Sequence, residues 1–368
     1  MILTRREALI ALAAAAQTHA GRGAVAFHYE AVFPPDAVEW YTRFDTIVTG
    51  AVLPASQASV LRKNKSRLIA YEWSSGFYPG DSVSAELSWQ ELVRKNAKGW
   101  LLSPDPLGGA AAAPGKTALW YDFGSAEMIA ARAERLAASI RASGYDGLFF
   151  DTPGFEQLPG EMQSAWKRRH PKEDYNHRQG EFFGTIKKRL GANGIVFLNQ
   201  GYRHADAMLP YADMDLTESY FTAIQGAGTR FRNWHDPAAP WEAVRTPIEQ
   251  LVLPSARKFP HVRFVHVNYS AGGAAVARRA ARYSWACAKV YGHDSYLIAP
   301  GAYANERDDI YFNVTGKPEE PYKEEAGVVW RRYDRGVAAV NFNRGAAQIA
   351  GLGLSMPEGQ QGYWFPAR

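Results

Sequence analysis

The sequence predicts an α/β fold: a (β/α)8 TIM barrel with a small C-terminal antiparallel β appendage. Three observations carry this. Eight short runs rich in apolar and β-branched residues alternate with helical stretches after residue 24, the pattern of a parallel barrel. The first of these runs ends in Phe27-His28-Tyr29-Glu30, without the Gly-x-Gly turn that a doubly wound nucleotide-binding sheet wants after its first strand. Beyond Pro318 the alternation gives way to hairpin signatures.

The elements follow in order. Thr4-Arg5-Arg6-Glu7-Ala8-Leu9 is a twin-arginine pattern. A short alanine-rich run, Ala8 to Ala16, follows, then the small-x-small site Thr18-His19-Ala20. The run is too short to span a bilayer, so residues 1–20 read as a twin-arginine-type signal peptide and the mature chain as a bacterial periplasmic or secreted protein. Residues 24–318 read as the barrel and residues 319–368 as the β appendage.

The expected strands are Ala24–Tyr29, Thr46–Thr49, Arg67–Glu72, Gly147–Asp151, Gly194–Asn199, Asp215–Tyr220, Arg263–Asn268 and Ser295–Ala299. Helices are expected at Pro35–Tyr41, Gln57–Lys63, Ala126–Ala142, Glu181–Leu190 and Ala274–Tyr291. Gly99–Leu102 and Leu119–Asp122 look extended and belong to an excursion between the third and fourth strands. Gly108–Gly115 is a loop tip by composition. In the appendage, Val328–Tyr333 and Val337–Asn341 flank a glycine-containing turn, and Ala347–Ala350 and Gly362–Phe365 are further strand candidates.

Composition narrows the function. A hydrophobic share of 46% and a charged share of 21% suit a globular chain. The net charge of +5 is small, and no basic stripe accompanies a nucleic-acid-reading motif, so nucleic acid is not an expected partner. The single cysteine, Cys287, lies among apolar neighbours and reads as an inert buried thiol. With 11 Trp, 19 Tyr and 18 Phe, many beside polar residues at strand ends, a ligand with apolar faces and hydroxyl edges is expected, namely a poly- or oligosaccharide. Oligomeric state is left open.

In a barrel the ends of the strands share one rim, where catalytic side chains collect. That rim would hold Glu30, Glu72, Asp151, Asn199, Gln200, Glu218, Asn268 and Asp294. Two stand out. Asp151 shares strand parity with Phe149, and Glu218 with Met214 and Leu216, so both should point inward with apolar company. Glycoside hydrolysis needs two carboxyl groups flanking one bond, and strands four and six can present them to one substrate. Asp151, near the amides of the Thr152–Gly154 loop, should stay ionised, whereas Glu218 should hold its proton longer. Tyr71, Glu72, Trp73, Asn199, Tyr202, Tyr220 and Asn268 would shape the sugar site. The competing reading pairs the two carboxylates with basic neighbours such as Arg203 or Arg230.

Leu68-Ile69-Ala70-Tyr71-Glu72, Trp120-Tyr121-Asp122-Phe123-Gly124-Ser125 and Gly144-Tyr145-Asp146-Gly147-Leu148-Phe149-Phe150-Asp151 resemble segments of bacterial (β/α)8 glycoside hydrolases. These are the hypothetical glycosyl hydrolase families and glycoside hydrolase family 114, the endo-α-1,4-polygalactosaminidases. The resemblance implies Asp151 as nucleophile and Glu218 as acid/base of a retaining enzyme. The chain departs from that pattern after Asp151, where Thr152-Pro153-Gly154 precedes Glu156, and at Tyr71-Glu72-Trp73, where the family shows a Gly-Glu pair.

Two rivals stay open: a carbohydrate-binding barrel that does not cleave, and a metal-dependent hydrolase using His28, His266 and His293. The first strand shows His28-Tyr29-Glu30 rather than His-x-His, and zinc needs three or four ligands in register. No metal or other cofactor is expected.

Overall fold

The computed structural model describes residues 24–29, 33–34, 37–78, 87–105, 117–299 and 307–367. The leader-like residues 1–20, Glu30 and the Gly108–Gly115 stretch lie outside them.

Eight strands form one sheet: β1 (Val25–His28), β2 (Thr46–Thr49), β3 (Arg67–Trp73), β4 (Gly147–Asp151), β5 (Ile195–Asn199), β6 (Met214–Glu218), β7 (Arg263–Tyr269) and β8 (Asp294–Ile298). Each pairs parallel with the next in chain order, and β1 lies beside β8. The result is a nearly closed (β/α)8 barrel. Outside it run three long helices, α1 (Ala126–Ser143), α2 (Tyr175–Leu190) and α3 (Ala274–Tyr291). The C-terminal residues form a four-stranded antiparallel sheet and a separate short hairpin.

Residues 144–151 are held by specific contacts along their length. Gly144 ends α1. The Tyr145 hydroxyl accepts the Leu53 amide at 2.9 Å. Asp146 Oδ2 accepts the Leu68 amide at 2.8 Å, fixing β3 beside β4. At Gly147 a Cβ would lie 2.1 Å from the Ile195 carbonyl oxygen, so no side chain fits between β4 and β5 there. Phe150 packs outward on Phe182 and Phe183 of α2. Phe149 points inward, and Asp151 follows on the same face.

The barrel interior is filled by aromatic rings. Phe27 of β1, Phe149 of β4 and Phe197 of β5 meet edge-on, with centroids 5.1–5.9 Å apart, and Tyr296 of β8 lies 6.2 Å from Phe27. Such layers make the barrel a packed core rather than a pore. The next inward positions toward the C-terminal rim are Tyr29, Asp151 and Asn199, so the aromatic layer is the floor on which polar groups stand.

Two expectations are corrected. Gly99–Leu102 is not extended throughout: Ala97–Trp100 is a helical turn, and only Leu101 forms an isolated bridge, to Tyr121. Asp294 opens β8 rather than ending it, which places it at the opposite end of the barrel from the rim. There it is paired with Arg263 at 2.7 Å and Lys289 at 2.8 Å.

Candidate active site

Asp151 ends β4 and Glu218 ends β6. Between them stands Asn199, the last residue of β5. Its Nδ2 donates to Asp151 Oδ1 at 2.7 Å and to Glu218 Oε2 at 3.1 Å. Sharing one nitrogen at those two distances, the carboxylate oxygens are no more than about 5.8 Å apart. Tyr71 donates its hydroxyl to Asp151 Oδ2 at 2.8 Å, and Tyr269 donates to Glu218 Oε1 at 2.8 Å. Every carboxylate oxygen of the pair therefore has a neutral donor. Neither group forms a salt bridge among the described residues; Arg230 instead binds Gln225 at 2.8 Å.

The loops hold these groups in place. Ser74 donates its amide and hydroxyl to the Asp151 carbonyl at 3.0 and 2.7 Å. Ser75 donates to the Thr152 carbonyl at 3.1 Å. Behind β5, the buried carboxylate of Asp215 accepts the Gly201 and Tyr202 amides at 2.8 and 2.7 Å. Burial pushes that carboxyl far up, against the pull of the amides. Thr152, Gln200 and Ser219, the residues that directly follow Asp151, Asn199 and Glu218, have φ of 49°, 64° and 59°. Three non-glycine residues in the left-handed region at three adjacent strand ends are unusual, the β-branched Thr152 most of all.

Burial raises the Asp151 pKa above the ordinary carboxylate value, and the nearby Glu218 adds to this. Hydrogen bonds from Asn199, Tyr71 and the Thr152 amide pull the other way. The Thr152 amide acts in the expected sense, and the apolar enclosure, also expected from the inward parity of Asp151, outweighs it. Tyr71 and Tyr269 are held far above the phenol value by burial and by the carboxylates they serve, so both remain donors.

The other expected residues separate into three groups. Trp73 points to the rim, giving Nε1 to Thr152 Oγ1 at 2.6 Å and stacking on Tyr78 at 4.9 Å. Tyr202 and Tyr220 share a hydroxyl hydrogen bond of 2.5 Å that ties the loops after β5 and β6; Tyr202 is buried and Tyr220 half-buried. Glu72 and Asn268 are not in the pocket. Strand alternation turns Glu72 outward, where it is buried in an ion pair with Arg132 of α1 at 2.7 Å. Asn268 faces away from the barrel axis and accepts the Phe221 and Thr222 amides at 2.9 and 3.1 Å, pinning the loop after β6.

Two residues of the site escape the sequence reading. Tyr269 lies one residue beyond the expected end of β7. Tyr29 lies in the mouth, 40% exposed, with its ring 6.0 Å from that of Tyr71. Desolvation raises its pKa far above the phenol value, helped by Tyr269, Asp151, Glu218 and Tyr71. The available signal was parity: Tyr29 follows Phe27, and Tyr269 follows Val267, on the inward face.

The three histidines lie outside the pocket: His293 immediately precedes Asp294 at the end of the barrel opposite the rim, and His28 and His266 alternate outward on their strands. His28 bonds the Tyr41 hydroxyl at 3.2 Å, and His266 bonds His293 at 2.9 Å. Among the described residues no cluster of His, Cys, Asp and Glu forms a metal-binding group.

Solved structures share this architecture. They share one fold. The glycoside hydrolase domain of PelA from Pseudomonas aeruginosa is similar over 78% of this chain and 97% of its own, at 20% identity and a TM-score of 0.53. Cyclic α-maltosyl-(1→6)-maltose hydrolase from Arthrobacter globiformis matches 95% of this chain and 99% of its own, at 10% identity and a TM-score of 0.56. An α-amylase from Malbranchea cinnamomea matches 94% of each chain, at 8% identity and a TM-score of 0.53. At such identities the likeness is one of fold. No protein-family model matches the chain, and no curated protein sequence matches it.

Proposed function

We propose that this chain is an exported glycoside hydrolase that cleaves an O-glycosidic bond of a poly- or oligosaccharide by a retaining mechanism. The observation that carries the reading is the Asp151–Asn199–Glu218 bridge at a barrel rim. Retaining enzymes hold their two carboxyl groups about 5–5.5 Å apart, whereas inverting enzymes leave about 6.5–9.5 Å for a water. The bridged oxygens lie no more than about 5.8 Å apart, which lets both carboxyl groups reach one bond, and the choice of the retaining route rests on the family 114 resemblance. The barrels of PelA, the maltosyl-maltose hydrolase and the amylase, all named as glycosidases, support the reaction class.

In this reading Asp151 attacks the anomeric carbon while Glu218 protonates the leaving oxygen. Glu218 then takes a proton from the water that releases the sugar. Family 114 resemblance supplies the assignment of roles, and the anchoring of Asp151 by Tyr71, Asn199 and the Thr152 amide suits a group that must hold one attack geometry. Asn199 Oδ1 is buried without a partner, an acceptor suited to a sugar hydroxyl. Export rests on the twin-arginine pattern at Arg5-Arg6. No helix among the described residues is long and apolar enough to cross a membrane.

The test is a screen of bacterial and plant polysaccharides with reducing-end detection, followed by NMR of the first-formed anomer. Turnover lost in both Asp151→Asn and Glu218→Gln, with retained configuration, supports the proposal. Inverted product rules out the covalent route. Substrate binding without turnover in the unaltered protein would make the barrel a binding module.

A further inference from the structure

A cleft of about 410 Å³ lies between the N-terminal half of α3 and the C-terminal sheet. Arg278, Arg279 and Arg282 form one wall, and Glu358 and Gln361 form the other. It shares no residue with the carboxylate site. Arg278 and Arg282 are one turn apart on α3 and so present a common face. The walls are locked together: at Gly362 a Cβ would lie 2.0 Å from the Arg282 carbonyl oxygen, so the strand backbone rests directly on the helix.

Two buried polar atoms here have no partner, Gln361 Oε1 and Arg279 Nε. Gln361 is only 9% exposed. Its Nε2 donates to Glu358 Oε2 at 3.1 Å, while its Oε1 is buried with no partner. Flipping the amide would aim an acceptor at a carboxylate, so Glu358 fixes the orientation. A buried acceptor in this state calls for an O–H or N–H from outside. Arg279 lies over the Phe231 ring at 4.5 Å, and its buried Nε also has no partner. Arg282 gives Nε to Asp308 at 2.9 Å but leaves half its side chain exposed. Arg278 is exposed.

We infer that this cleft is a second, non-catalytic binding site for an acidic saccharide unit. Guanidinium forks suit a carboxylate. The buried Gln361 Oε1 calls for a hydroxyl donor, and the exposed Glu358 carboxylate beside it can accept another. A sugar acid separates its carboxylate from its hydroxyls across a ring and can meet both walls at once. A compact inorganic anion would face the Glu358 charge, and a neutral sugar would leave the arginines unanswered. The site does not depend on what the carboxylate pair does.

The test titrates the intact protein by calorimetry with a galacturonate trimer, with maltotriose and with inorganic phosphate. The trimer is expected to bind, and maltotriose is not. Affinity is expected to fall at least tenfold in Arg278→Ala/Arg279→Ala and in Gln361→Met, and to weaken as salt rises. It is expected to persist in Asp151→Asn/Glu218→Gln. Arg278→Ala alone, at an exposed position, gives the same reading if the buried Gln361 variant fails to fold. Absence of trimer binding, equal binding of maltotriose, phosphate binding as tight as the trimer, or loss only in the carboxylate variant would each overturn the inference.

Discussion

The Nδ2 atom of Asn199 lies 2.7 Å from Asp151 Oδ1. It also lies 3.1 Å from Glu218 Oε2, so one amide group spaces the two carboxyl groups. Its loss removes the donor that both share.

Asn199→Ala is therefore expected to lower kcat by about 10²-fold, the order seen when one preorganised donor to a developing charge is removed. Asn199→Asp should do more damage, because it removes the shared donor and adds a third carboxyl group beside Asp151, whose pKa is already raised by burial and by Glu218. Steady-state kinetics on the identified substrate, with circular dichroism to confirm folding, checks both. Activity of Asn199→Ala within twofold of the parent would refute the role.

Tyr71→Phe removes a donor that holds down the Asp151 pKa. The acid limb of kcat/KM, set by the ionised nucleophile, should move to higher pH in this variant. The measurement is the full pH profile. An unmoved limb would mean that Asp151 is not the group the limb reports.

The raised Asp151 pKa also has a stability sign. The folded state holds this proton more tightly than the unfolded chain does. The resulting stability is present below the ordinary carboxylate pKa and is lost as pH rises through the higher folded value. At neutral pH the ionised group is a cost, so Asp151→Asn should raise Tm there while abolishing turnover. The gain should shrink as pH falls toward about 4. Thermal scans at several pH values check this, and a variant less stable at neutral pH contradicts it.

Glu72 and Arg132 form a buried pair in which Arg132 also donates to the Ser74 and Trp73 carbonyls and lies over the Tyr121 ring at 4.0 Å. Removing one partner strands the other charge. Glu72→Ala is expected to cost about 3–5 kcal/mol in denaturant unfolding. Because Glu72 faces away from the pocket, the folded fraction should keep its KM. A KM rise without loss of stability would return Glu72 to the substrate site.

Legibility in the sequence followed period and parity. The eight strands were visible because each is a short apolar or β-branched run between helical stretches, and β4 is apolar through Phe150 because helices cover its outer face. Asp151 and Glu218 were visible because inward parity fixes where the last side chain of a strand points. Glu72 and Asn268 were misplaced for the converse reason. They are polar residues near a rim, but one step out of phase, and each serves a helix or loop behind the sheet. Tyr269 was missed because the expected seventh strand stopped one residue short of it, and Tyr29 because its neighbour Glu30 was taken as the rim group of the first strand. Asp294 was misassigned although it precedes the expected strand Ser295–Ala299, an order that in a parallel barrel already places it at the N-terminal end, away from the rim.

The left-handed turns at Thr152, Gln200 and Ser219 bear on how this rim can change over evolutionary time. Each turns the chain immediately after a side chain whose position matters. Beyond the residues pinned by Asp215 and Asn268, the loops can vary in length without moving those side chains. Recombination at these three points offers a way to re-aim the enclosure toward a different polymer while the bridged carboxylates keep their spacing.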